Sequence, residues 1–172
     1  LNKIINGNKF IESYSLAKLK SFNPNIFNCC DKHRMYIEII QNTNKDIKEG
    51  AVFNETGIIG QVVNNKSFYE VMLLTDTKSS IPLTNSKGDF YCNASGSGAS
   101  DYITCSYSQL VWLDNHELGE KFFSSGLGGI YPKGIEIGNL ESIKIVDTST
   151  TLLTIKLISN PLHSNLFGVI KL

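Results

Sequence analysis

Apolar residues in this chain come in short runs, and polar or turn-forming residues break them at close intervals. Val71-Met72-Leu73-Leu74, Ile135 to Val146 and Leu152 to Ile158 are typical. The runs are enriched in β-branched and aromatic residues, which suit a pleated, half-buried surface. They predict strands over 35–40, 57–63, 69–74, 80–83, 89–92, 102–107, 109–113, 121–123, 135–146, 152–158 and 167–170. From Ser13 to Phe22 the positions of Leu16 and Leu19 fit a helix or a strand, and no segment carries a long amphipathic helical pattern. Short strands at regular spacing with glycine turns point to an all-β chain built as a sandwich or small barrels.

One apolar stretch is punctuated differently. Between Ser125 and Gly138 stand Gly126, Gly128, Gly129, Pro132, Gly134 and Gly138. Glycine reaches positive φ without a Cβ clash, and Pro132 with Gly134 suits the second and fourth positions of a type I turn, so a strand should resume at Ile135. Gly128 and Gly129 are expected to hold conformations or close contacts that a β-branched side chain cannot accept. The segment lacks Gly-Lys-Ser/Thr and no helix follows it, which excludes a phosphate loop.

This segment resembles the glycine-rich signature of the rod shape-determining protein MreC family. Other pieces of the family pattern follow in order: Gly57-Ile58-Ile59-Gly60-Gln61-Val62, Leu73-Leu74-Thr75-Asp76 with Ile81-Pro82-Leu83, and Gly96-Ser97-Gly98. Upstream, residues 39–52 look like the family's strand, polar loop and Lys-x-Gly turn, with Asn42-Thr43-Asn44 in place of a glycine-containing loop. The resemblance implies two small β-barrel subdomains, a strand over 13–22, and residues 1–12 as the end of a coiled-coil helix that dimerises the intact protein. It also implies a periplasmic location, with an N-terminal membrane helix preceding Leu1. The polar breaks at Asn54-Glu55 and Asp114-Asn115 are the expected crossings between barrels, with the C-terminal strands completing the first. By the same resemblance the chain is a non-enzymatic scaffold of cell-wall elongation. Its partners are the elongation-specific penicillin-binding transpeptidase, MreD, RodA and MreB, with self-association in the intact protein, and it needs no cofactor.

Composition narrows the rivals. Sixteen basic residues balance sixteen acidic ones among 172 residues, so nothing supplies the phosphate attraction of a nucleic-acid binder. Four cysteines form no Cys-x-x-Cys pair, and three scattered histidines do not complete a zinc set. Cys92 and Cys105 lie symmetrically about Gly98-Ala99, a spacing that would let them face each other if the segment folds as a hairpin. Two buried free thiols are the default expectation, and a disulfide is the alternative.

Two packed barrels are also the architecture of chymotrypsin-like proteases, and His33, Asp76 and Ser125 occur in the matching chain order. Ser125, however, lacks the Gly-Asp-Ser-Gly-Gly setting that shapes an oxyanion hole, and His33 sits in the charged run Asp31-Lys32-His33-Arg34, which reads as a solvated loop. His116 and His163 read as exposed turn residues, and Asp76 as a turn cap. Binding through surface is left. Phe68-Tyr69, Phe90-Tyr91 and Phe122-Phe123 cannot both face one core within a strand, which makes Phe123, with Tyr131 in its turn, the candidates for partner contact.

Overall fold

A computed structural model describes residues 14–23, 32–41, 47–65, 68–112 and 115–172. The expected coiled-coil end at 1–12, the Asn42–Asn44 loop, and Cys29 and Cys30 lie outside the described residues. Twelve strands make up the described fold: β1 (Ser15–Phe22), β2 (Arg34–Gln41), β3 (Ala51–Asn54), β4 (Gly57–Asn65), β5 (Tyr69–Leu73), β6 (Ser80–Asn85), β7 (Tyr91–Gly96), β8 (Tyr102–Ser108), β9 (Lys121–Ser124), β10 (Glu136–Ile145), β11 (Thr150–Leu157) and β12 (Leu166–Ile170). They close into two six-stranded barrels, β1-β12-β3-β4-β5-β2 and β10-β11-β8-β7-β6-β9, with antiparallel pairing throughout. No helix among the described residues is long and apolar enough to cross a membrane.

Alternation builds each wall. β8 buries Ile103, Cys105 and Tyr107 while Tyr102, Thr104, Ser106 and Ser108 face outward, and β11 does the same with Thr151, Leu153 and Ile155. The ambiguous stretch is a strand from Ser15 to Phe22, with Ala17 pointing into the first core while its neighbours stay half-exposed. Ala51 to Asn54 is a strand that sequence pattern did not separate from the turn before it. Conversely, 109–113 is no strand where described: Val111 and Trp112 donate back to the Ser108 carbonyl, so the chain turns off β8 at once.

The crossings differ from expectation. The chain leaves the first barrel between β5 and β6 and returns between β11 and β12, so the C-terminal strand does complete the first barrel. Asn54-Glu55 instead opens a tight β3–β4 hairpin, in which Asn54 pairs with Gly57. Asn115 lies between β8 and β9, both within the second barrel. A polar break marks a turn and does not reveal whether the next strand joins the same wall. Asn54 nonetheless serves the crossing, since its Nδ2 donates to Asn160 O at 2.8 Å and Asn160 N donates to Thr56 Oγ1 at 2.8 Å.

The barrels share apolar interior. Ala17, Met35, Ile37, Val62, Val71 and Phe167 fill the first, whereas Ala51, Phe53, Ile58, Leu74 and Ile170 from the first join the cluster that fills the second. In the second barrel Cys92 and Cys105 form a disulfide, which overturns the default of free thiols. Both residues lie on the inward face, and their Cα atoms are 6.2 Å apart, inside bridging range. The β7–β8 ladder is only two residue pairs long, Ser95–Thr104 and Gly96–Ile103, and the disulfide ties the strands beyond it.

Candidate functional site

The groove between the barrels begins with the crossing at residues 74–79. Asp76 is 1% exposed, and its carboxylate accepts from His33 N, Arg34 Nε and Lys78 N, each at 2.9 Å. Three donors satisfy the buried carboxylate, and the turn bond to Lys78 fixes where the chain redirects. Arg34 extends the network to Glu70 at 3.3 Å. Gly96 lets the second barrel approach this point: a Cβ there would lie 2.0 Å from Asp76 O, and Gly98 N donates to Thr75 O at 3.0 Å.

The glycine-rich loop forms the other wall. Gly126, Gly128, Gly129 and Gly134 all have positive φ, at 80°, 80°, 70° and 83°. Gly138 is needed for a different reason, since a Cβ would meet Lys156 O at 2.2 Å. The loop is clamped by a residue that sequence reading passed over. Buried Ser124 receives Ile135 N on its Oγ at 3.0 Å, donates that hydroxyl to Pro132 O, and accepts Gly134 N on its carbonyl at 2.8 Å. A serine closing a strand just before a glycine turn was the available signal.

Tyr131 is not on the surface. It is 1% exposed and its hydroxyl lies 3.3 Å from Gln61 Oε1 on β4, so the turn residue spans the two barrels. Burial pushes its phenol pKa well above the ordinary value. The phenol therefore stays neutral and donates its proton to Gln61. Above Tyr131 lies a groove of about 640 Å³ lined by Met72 and Gln61 of the first barrel, Pro82 and Asn93 of the second, and Leu127 and Ile130 of the loop, with Lys78 also in its wall. Leu127 is 58% exposed, an apolar side chain held out by a rigid turn. Phe123 is half-buried on the outward face of β9, between Thr84 and Glu136 in register.

Residues 26–171 match the family profile described as rod shape-determining protein MreC, barrel core. The chain belongs to the MreC family. It is 32% identical over 112 residues to the cell shape-determining protein MreC of Haemophilus influenzae, an alignment covering 62% of this chain and 31% of that relative's length. Its fold is similar to the crystal structure of MreC from Pseudomonas aeruginosa, with TM-score 0.76 and 21% identity over 92% of this chain and 99% of that one. A second solved relative is the complex between penicillin-binding protein PBP2 and MreC from Helicobacter pylori, with TM-score 0.66 and 16% identity over 91% and 96% of the two chains.

Within this MreC-family fold the residues that suggested a protease triad serve other ends. The ring of fully buried His33 meets Thr75 Oγ1 at 2.7 Å, so His33 is no solvated loop residue, and its main-chain N–H donates to Asp76. Ser125 is buried; its N–H donates to Pro82 O and its Oγ accepts Leu127 N at 3.3 Å, a local turn bond. Three residues in the right order are thus spent on a barrel junction and a loop. The His116 side chain, expected in an exposed turn, is instead packed against Phe90 at 4.4 Å with Nδ1 2.9 Å from Glu120. Among the described residues no group of three His, Cys, Asp or Glu side chains forms a metal set.

Proposed function

We propose that this chain is a non-enzymatic, periplasmic scaffold of the cell-elongation machinery. Its interbarrel groove would receive a peptidoglycan synthase. The observation that carries the reading is the groove itself: a cleft of mixed apolar and polar lining built from both barrels and the clamped glycine loop, in a chain whose family includes a member solved in complex with a penicillin-binding protein. The transpeptidase of elongation is the partner expected there. By family resemblance MreD, RodA and MreB complete the assembly, and a membrane helix preceding this region anchors the protein to the inner membrane. A scaffold of this kind acts by binding one arrangement of its enzyme partner better than another, so it shifts activity without contributing a catalytic group.

Support for a rigid docking surface comes from the shared core and from the Tyr131–Gln61 bond, which hold the two walls at a fixed spacing. The test is affinity for the periplasmic region of the transpeptidase. Leu127→Asp places a charge in the cleft at an exposed position and should weaken binding by about tenfold or more while leaving melting unchanged. Phe123→Ala examines the outward face of β9 in the same assay. Unaltered affinity in Leu127→Asp would remove the groove from the account.

A further inference from the structure

Among the described residues, one margin of the second barrel lies open along β10. β10 pairs with β9 only from Glu136 to Asn139, and Gly119 and Glu120 satisfy Leu140 just beyond. After a bulge between Leu140 and Ser142, the distal half of β10 keeps β11 as its single ladder neighbour among the described residues, and residues 141–145 are exposed. Val146 N donates to Thr150 O, which fixes the direction of the ladder. Main-chain groups alternate along an antiparallel strand, so Lys144 and Ser142 also point toward β11 and those of Ile143 and Ile145 point away. These N–H and C=O groups have no ladder partner among the described residues.

Side chains at this margin tell the same story. Ile143 and Ile145 stand opposite Leu153 and Thr151, both fully buried, so they lie on the barrel's inner face, yet they are 38% and 65% exposed. A further strand alongside would cover them. Lys144 lies on the other face, opposite Leu152, with no carboxylate partner among the described residues. Beside the hairpin, where Gln109 N donates to Ser149 O, Leu110 and Val111 are 84% and 72% exposed.

We propose that the distal edge of β10 is a strand-addition site for an extended partner segment, with apolar residues facing Ile143 and Ile145 and an acidic residue opposite Lys144. Main-chain hydrogen bonds supply the affinity in such pairing and side chains the selectivity. A second copy of this chain fits poorly. The two-fold antiparallel register that bonds Ile143 to Ile145 of the other copy sets Lys144 against its own counterpart, and like charges directly opposite each other destabilise a pair. A register centred on Ile143 runs into the bulge, and one centred on Ile145 needs Asp147, whose N–H is already given to Thr150. The lysine therefore discourages self-pairing and selects an acidic strand. The site lies on a different strand from every wall of the interbarrel groove and stands independently of the scaffold reading.

The probe is a labelled peptide, Thr-Val-Thr-Val-Glu-Val-Thr-Val-Thr, and a counterpart with Lys at its centre, read by anisotropy and by amide exchange. The glutamate peptide should bind at least about tenfold tighter and protect the amides of Ile143 and Ile145 in this protein. Ile145→Pro removes an outward N–H and no ladder bond, so it should melt like the parent and lose the peptide. Lys144→Glu gives a second readout independent of that fold: it should prefer the lysine peptide. Equal affinity of the two peptides for the parent, or no reversal in Lys144→Glu, overturns the proposal. So does a parent that sediments as a dimer dispersed by Ile145→Pro, which would make the occupant a second copy.

Discussion

Gly96 and Gly128 carry the same residue for different reasons, and substitution separates them. At Gly128, with φ of 80° and open space around a would-be Cβ, alanine costs only the left-handed backbone, about 1–2 kcal/mol. Gly129→Val adds a branched side chain to the same kind of strain at φ 70° and should cost about 2 kcal/mol. At Gly96 the new Cβ meets main chain of the crossing at 2.0 Å, so one barrel must shift against the other, and Gly96→Ala should cost roughly 3 kcal/mol or more. Denaturant melts of the three variants check the order; a Gly96→Ala protein as stable as Gly128→Ala would refute the close approach. Tyr131 makes a pH prediction. Its folded pKa lies above the ordinary value of about 10, so the unfolded chain loses the proton first. Stability from this group is intact below about pH 10 and falls by up to about 1.4 kcal/mol per pH unit above it. Tyr131→Phe should flatten that alkaline limb relative to the parent, and parallel limbs would contradict the burial. Sequence made the glycine turns legible because φ requirements are local. It placed Tyr131 and His116 in exposed turns because burial by a distant strand, such as Gln61 on β4, leaves no local trace.

Strands were legible wherever a run alternated against one core, as in β8 and β11, and least legible where a partner decided the matter. The 109–113 run has strand composition, but Ser108 captures its amides and turns it into a cap whose Trp112 packs on Phe90 at 5.5 Å. The crossings failed for a related reason: Asn54 reads as a break, and only the fold shows it gripping Asn160 across the return crossing. The disulfide acts at this scale. Closing a separation of 13 residues contributes about 3 kcal/mol, and here it reinforces a two-pair ladder. Reduction, or Cys92→Ser with Cys105→Ser, should lower stability by about that amount. Amide exchange should rise first in β7 and the adjoining half of β8, while β1–β5 keep their protection. Uniform loss of protection across both barrels would show that the bridge does not act locally.

At the scale of the molecule, the residues shared between the two cores make the barrels one body, and that body defines the groove. Two small barrels were implied by resemblance rather than by pattern, since composition alone allowed a sandwich equally well. What the groove binds lies beyond any run of residues, because its walls come from positions as distant as Gln61 and Ile130. The most direct test of the scaffold reading is amide exchange mapped on this chain with and without the periplasmic region of the elongation transpeptidase. Binding is predicted to slow exchange at Leu127, Gly128 and Ile130, and at Met72 in the opposite wall. Protection absent from both walls, with the complex still formed, would contradict the account.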